Sequence, residues 1–152
     1  MPRYITQADV RNAYGENRFA LLADQNDDNL SDTASADAAI AAAEAEVDSY
    51  LGHRYALPLP GTEDAAIPGN NTVPPNIHFR CVDIAVYRLA KDHDQLTKER
   101  RKRYEDAKSW LGMLARGQVS LGSAEPPPTR NGGVVRTGPA RTHQLTDTDG
   151  LL

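Results

Sequence analysis

Residues 75–92, PNIHFRCVDIAVYRLAKD, decide the fold of this chain. Pro75 suits the first turn of a helix, where its missing N–H is not needed. Apolar side chains at helical spacing cover most of the circumference that follows. A helix that is apolar on most sides is surrounded by other elements. We therefore predict a mainly α fold, a small helical bundle around this central helix, with buried positions at Ile77, Phe79, Cys81, Val82, Ile84, Val86 and Leu89.

Three further helices are predicted at residues 6–14, 35–52 and 97–116. Each begins at a hydroxyl residue that can cap it and ends near a glycine. Asp9 adds a capping box to the first helix, and Phe19, Leu21 and Leu22 indicate a further helical turn or two. The capping and ending pairs are Thr6 with Gly15, Ser35 with Gly52, and Thr97 with Gly117.

The second and fourth predicted helices each have one apolar face. On the second we expect three acidic residues to face solvent: Glu44, Glu46 and Asp48. The apolar faces consist of Ile40, Ala43, Val47, Tyr50 and Leu51 on one helix and of Tyr104, Ala107, Trp110, Leu111 and Leu114 on the other.

The remaining sequence divides the chain into a helical domain, residues 1–122, and a tail, residues 123–152. Prolines and glycines between residues 53 and 74 exclude regular helix there. The tail contains four Pro and four Gly and few helix formers. We predict that it is extended and ordered only by a partner.

Charge is unevenly distributed along the chain, whose net charge is −4. Residues 1–52 carry ten acids against three arginines, a balance of −7, whereas residues 78–117 carry ten bases against six acids, a balance of +4. The two halves attract each other, within one chain or between copies. We expect neither a membrane span nor a signal peptide.

No residue pattern indicates an enzyme, a metal or a cofactor. The four histidines lack partners at metal-ligand spacing, and Cys81 lies on the apolar stripe, as a core thiol does. Asp24, Asn26 and Asp28 resemble the start of a calcium loop, but Asn29 and Ser35 stand where glycine and glutamate are needed. A solvated polar loop is the prediction.

The run KERRKRY at residues 98–104 is the candidate functional feature. Cations near a helix N-terminus are mildly unfavourable with the helix dipole, so helix stability does not explain them. They suit a contact with phosphates or with the acidic half of another copy, and a solvated helix start is the alternative. The interface residues predicted for that pairing are Lys98, Arg100, Arg101, Arg103, Lys108, Glu44 and Asp48.

Five stretches resemble the head–tail connector family of Mu-like phages and prophages. The resemblance covers residues 4 to about 122 and is most specific at VDSYLGHRYALPLP, residues 47–60, and at RYEDAKSWLGMLARGQVSLG, residues 103–122. The stretches are ITQADV, LLADQNDDNLSD, AEAEVDSYLGHRYALPLP, CVDIAVYRL and RYEDAKSWLGMLARGQVSLG.

The resemblance implies a non-enzymatic adaptor in the virion, assembled in the host cytoplasm and located at the head–tail junction. Such adaptors form a ring of about twelve copies beneath the portal protein, extend the DNA channel and receive the next connector or tail-completion protein. DNA passes through the channel without sequence-specific contacts. The tail is expected to engage the portal or a neighbouring copy through Arg130, Val134, Val135, Arg136, Leu145, Leu151 and Leu152.

A second class of function remains open at this point. A small helical DNA-binding regulator would use the basic helix 98–108 as its contact. The acids Glu99, Glu105 and Asp106 among the bases, and the absence of Asn and Gln, argue against groove reading.

Overall fold

The computed structural model describes residues 4–24, 32–59, 73–92 and 95–122. These residues form helices and connecting segments, with no strand among them. The predicted mainly α class is confirmed. The helices are α1 (Gln7–Tyr14), α2 (Glu16–Ala23), α3 (Thr33–Leu51), α4 (Pro75–Asp92) and α5 (Lys98–Ala115).

Helix α4 is the centre of the core, as its apolar circumference predicted. It packs against each of the other four helices, most extensively against α3 and α5. Ala36, Ala39 and Ala43 of α3 are buried in the core, and small side chains of this kind allow neighbouring helices to approach closely. The α4 residues buried in the core are Ile77, Cys81, Val82, Ile84, Ala85, Val86, Leu89 and Ala90.

The predicted helix ends are correct within two residues. Thr6 caps α1 through a capping box with Asp9, and the Oγ1 of Thr97 accepts from the backbone N–H of Arg100 at 3.2 Å. Gly15, with φ of 85°, separates α1 from α2, a conformation that suits glycine. Helix α3 begins two residues before the predicted cap Ser35, which is buried inside the helix.

Three expected exposures are wrong, and one of them is that of Glu46, whose side chain is only 13% exposed. Phe79 is 62% exposed, so its side of α4 is not covered by the residues that the structure describes. Glu44 is only 4% exposed, because its carboxylate faces the N-terminal segment rather than solvent. When apolar residues cover most of a helix, the sequence does not show which of them faces solvent. Likewise, the sequence around an acidic residue does not show that a distant segment binds it.

Several predictions fall outside the described residues. The comparison with a calcium loop concerns residues 25–31 for the most part, and the proline-rich segment continues through 60–72. The whole tail, residues 123–152, also lies outside, so the domain boundary at 122 stays a prediction. Of the helices described, none combines the length and the apolar character that a membrane crossing requires.

Candidate functional site

The cations of the KERRKRY run fall into two groups. Arg100 and Arg103 are held by their own chain. The Arg100 guanidinium donates to the carbonyl of Gln95 at 2.6 Å, and Arg103 pairs with Glu99 at 2.7 Å. Arg103 also lies 3.5 Å from the hydroxyl of Tyr14 on α1. These two arginines therefore help to fix α5 in place.

The other group is Lys98, Arg101 and Lys102, which we call the cationic patch. Within the described parts of the chain, none of these side chains forms a hydrogen bond or an ion pair. Together with Leu96, Thr97 and Glu105 they line an open depression of about 340 Å³ at the start of α5. The patch is thus a charged surface that has no partner among the residues that the structure describes.

Helix geometry explains why these three cations share a face. Positions i, i+3 and i+4 lie side by side on a helix, so Lys98 is adjacent to both Arg101 and Lys102. Like charges at this spacing repel, and the positive end of the helix dipole adds to the cost. Glu105 at the edge of the depression offsets only part of this charge. The arrangement suits contact with an anionic partner.

The acids predicted to face this patch in a neighbouring copy have other partners. The Glu44 carboxylate accepts from the backbone N–H of Tyr4 at 2.7 Å and of Ile5 at 3.4 Å. Asp48 accepts a hydrogen bond from the hydroxyl of Tyr4. Both acids fasten the N-terminal segment to α3, and Glu44 is removed from the protein surface.

The positions of Lys108 and Glu46 were not apparent from the sequence. The Lys108 ammonium lies 5.2 Å from the centre of the Tyr104 ring, and the Tyr104 hydroxyl donates to Glu46 at 3.0 Å. Burial, followed by the nearby Glu46 carboxylate, raises the pKa of Tyr104. The acidic residues of α3 indicated that one of them could contact α5, but their spacing does not show which one does.

Cys81 and His78, two side chains of types that can serve in catalysis or metal binding, have contacts that the packing of the helices explains. The predicted core position of Cys81 is confirmed, and burial raises the pKa of its thiol well above the usual value. His78 lies 3.5 Å from the carboxylate of Asp9 on α1. Across the described segments, no three or more His, Cys, Asp and Glu side chains come together as metal ligands would.

Comparison with known proteins identifies the family. The model of the family described as Bacteriophage Mu, Gp36 matches residues 4–137, most of this chain. The chain belongs to the Bacteriophage Mu Gp36 family. A relative, the Mu-like prophage FluMu protein gp36 of Haemophilus influenzae, is 36% identical over 94 residues. That match covers 62% of this chain and 57% of the relative, so the chain spans a little over half of the relative's length.

The Gp36 family match extends into the tail. Four of the predicted docking residues, Arg130, Val134, Val135 and Arg136, lie within it, whereas Leu145, Leu151 and Leu152 lie beyond its last residue, 137. All seven are outside the described residues, so their docking role stays a prediction. The family match indicates the kind of function to test, and the cationic patch is the surface on which to test it.

Proposed function

We propose that this Gp36-family chain is a structural head–tail adaptor of a Mu-like phage or prophage. Copies form a ring of about twelve beneath the portal, extend the DNA channel and present a platform to the next connector or tail protein. The protein acts at the head–tail junction of the virion after synthesis in the host cytoplasm, and it catalyses no reaction. The resemblance of its sequence motifs to connector proteins, together with the family match, supports this role.

The cationic patch is the structural observation that carries the proposal. A side-by-side contact between different surfaces of adjacent copies generates a ring when the rotation closes. Such a contact needs a charged or apolar surface left unsatisfied by the protomer. The patch is such a surface, since Lys98, Arg101 and Lys102 lack partners within the described residues.

The acidic side of this contact differs from the one the sequence indicated. Glu44 is buried and excluded from it. The exposed acids of the first three helices are better suited. Among the described residues, Asp37 accepts a hydrogen bond from the neutral amide of Gln7 at 2.6 Å, and Glu16 forms a loose pair with Arg11 at 3.6 Å. We propose that these acids face the cationic patch of the next copy.

Charge reversal tests this arrangement in the full chain. We expect the double variant Arg101→Glu with Lys102→Glu to co-sediment with portal-bearing heads much less than the wild-type protein does. Raising the salt concentration should also weaken the association of the wild-type protein with heads, because salt screens exposed charges. The control is Arg18→Glu on α2, a charge reversal of the same sign and half the size that makes the acidic side more acidic.

The outcomes separate the adaptor from a DNA-binding regulator. Loss of head association by the patch variant but not by Arg18→Glu supports the adaptor contact. Equal association of all three proteins at every salt concentration contradicts it. A gel shift of duplex DNA by the wild-type protein that is lost in the patch variant, without head binding, would assign the patch to phosphate contacts instead.

A further inference from the structure

A groove runs along α5 beside the C-terminal end of α3, farther along α5 than the cationic patch, and Glu105 lines both. It consists of two adjoining depressions of about 530 and 440 Å³ that share three lining residues, Tyr50, Gly112 and Arg116. One depression continues to Tyr104 and Lys108. The other continues to His53, just beyond the end of α3. Tyrosine rings and two cations thus line one continuous groove.

Gly112 lies in the groove and is not explained by the packing of the fold. Glycine in the interior of a helix is destabilising relative to alanine. A Cβ at this position would meet only the flexible guanidinium of Arg116, at 3.4 Å, and no core atom. The bundle therefore has room for a side chain here, and the glycine keeps the groove open at a cost to helix stability.

The charge of the groove selects its occupant. Lys108 and Arg116 provide two cations, and Glu105 is the one acid among the lining residues. The last eight residues of the chain, LTDTDGLL, contain Asp147 and Asp149 and no base. The middle of the tail carries arginines instead, at positions 130, 136 and 141. By charge, the end of the tail fits this groove and its middle does not.

The tail starts beside the groove. The Arg54 guanidinium donates to the carbonyl of Val119 at 3.0 Å, which holds the exit of the tail at the end of α3. Arg54 directly follows His53 of the groove. From Gly122 the 22 intervening residues reach up to roughly 75 Å when extended. Leu145 and the residues after it therefore reach this groove in the same copy or in an adjacent one.

We propose that residues 145–152 dock in the groove between α3 and α5. Asp147 and Asp149 lie near Lys108 and Arg116, and the leucines of the segment contact the tyrosine rings. Between Lys108 and Arg116 the helix advances two turns, roughly 12 Å. This length accommodates about four extended residues. The proposal does not depend on the adaptor function, and it leaves the arginine-bearing middle of the tail available to another partner.

Cysteine cross-linking in the full chain tests the docking. Ser109→Cys on the exposed wall of the groove is combined with Thr148→Cys, and Ala38→Cys with Thr148→Cys is the control pair on the exposed side of α3. The native Cys81 is buried and stays silent. We expect disulfide formation at Ser109→Cys to be at least about tenfold faster, because docking raises the effective concentration. Product mass shows whether the segment comes from the same copy.

Two further substitutions, each added to the Ser109→Cys and Thr148→Cys protein, test whether the groove itself causes the cross-linking. Gly112→Leu fills the groove while favouring helix, so a loss of cross-linking cannot be attributed to unfolding; circular dichroism verifies this. Arg116→Glu should lower the rate, and adding Asp147→Lys and Asp149→Lys should restore it. Equal rates at Ser109→Cys and Ala38→Cys, or a Gly112→Leu rate equal to that of the open groove, would overturn the proposal.

Discussion

The aromatic rings of Tyr87 on α4 and Tyr104 on α5 are stacked, with centroids 3.9 Å apart and planes inclined by 4°. The Tyr104 hydroxyl continues to Glu46 on α3 at 3.0 Å. Glu46 also pairs with Arg88 of α4 at 2.7 Å. One acid and two rings therefore connect the three longest helices at the edge of the core.

The hydroxyl of Tyr104 should contribute to stability and that of Tyr87 should not. Tyr104→Phe removes a hydrogen bond to a carboxylate and should lower the free energy of unfolding by about 1–2 kcal/mol. Tyr87→Phe is the matched control, because within the described residues its hydroxyl has no hydrogen-bond partner. Urea unfolding measures both. Equal losses for the two variants would show that ring packing, not the Glu46 bond, matters.

Truncation of the core should destabilise the bundle. Leu111 is completely buried and Val86 is 1% exposed. We expect Leu111→Ala and Val86→Ala to lower the free energy of unfolding by roughly 1–4 kcal/mol each, Leu111→Ala the more. Phe79→Ala serves as the control, because its exposed ring buries little area. A loss at Phe79 as large as that at Leu111 would mean that this ring is covered in solution.

Glu44 should act on stability and not on assembly. Glu44→Ala leaves the buried N–H of Tyr4 without its acceptor, which should cost roughly 1–3 kcal/mol. Denaturant unfolding gives the loss, and hydrogen exchange at Tyr4 and Ile5 locates it. Asp37→Ala is the complementary variant on the same helix, expected to leave stability nearly unchanged and to weaken the association with heads. If Glu44→Ala weakened the association with heads and left stability unchanged, Glu44 would belong to the interface between copies instead.

Asp83 should make stability decline with rising pH. Burial raises the pKa of this carboxyl above 3.8, against the opposing effects of the Tyr14 hydrogen bond and of Arg103 and Arg80. The folded state therefore keeps a proton that the unfolded state has released, and stability is lost as pH rises from about 3.8 through the raised pKa. Between pH 4 and pH 7 the free energy of unfolding of the wild type should therefore fall relative to that of Asp83→Asn. Parallel curves would contradict it.

Local sequence determines the helices but not the sites. The caps at Thr6 and Thr97 depend on residues three positions away, and they were predictable. The role of Glu44 depends on Tyr4, 40 residues away, which no local pattern encodes. The contact of Arg103 with Tyr14, 89 residues away, is of the same kind. Tertiary contacts decide such assignments.

The most direct test of the adaptor assignment is the number of copies bound to each portal-bearing head. Purified full-length protein is added in excess to heads, the complexes are sedimented, and the copies per portal vertex are counted by quantitative mass spectrometry and by electron microscopy of the vertex. We predict saturation at a fixed ratio of about twelve copies in a ring. Binding spread over the head surface without a fixed ratio, or no binding at all, would contradict the adaptor function.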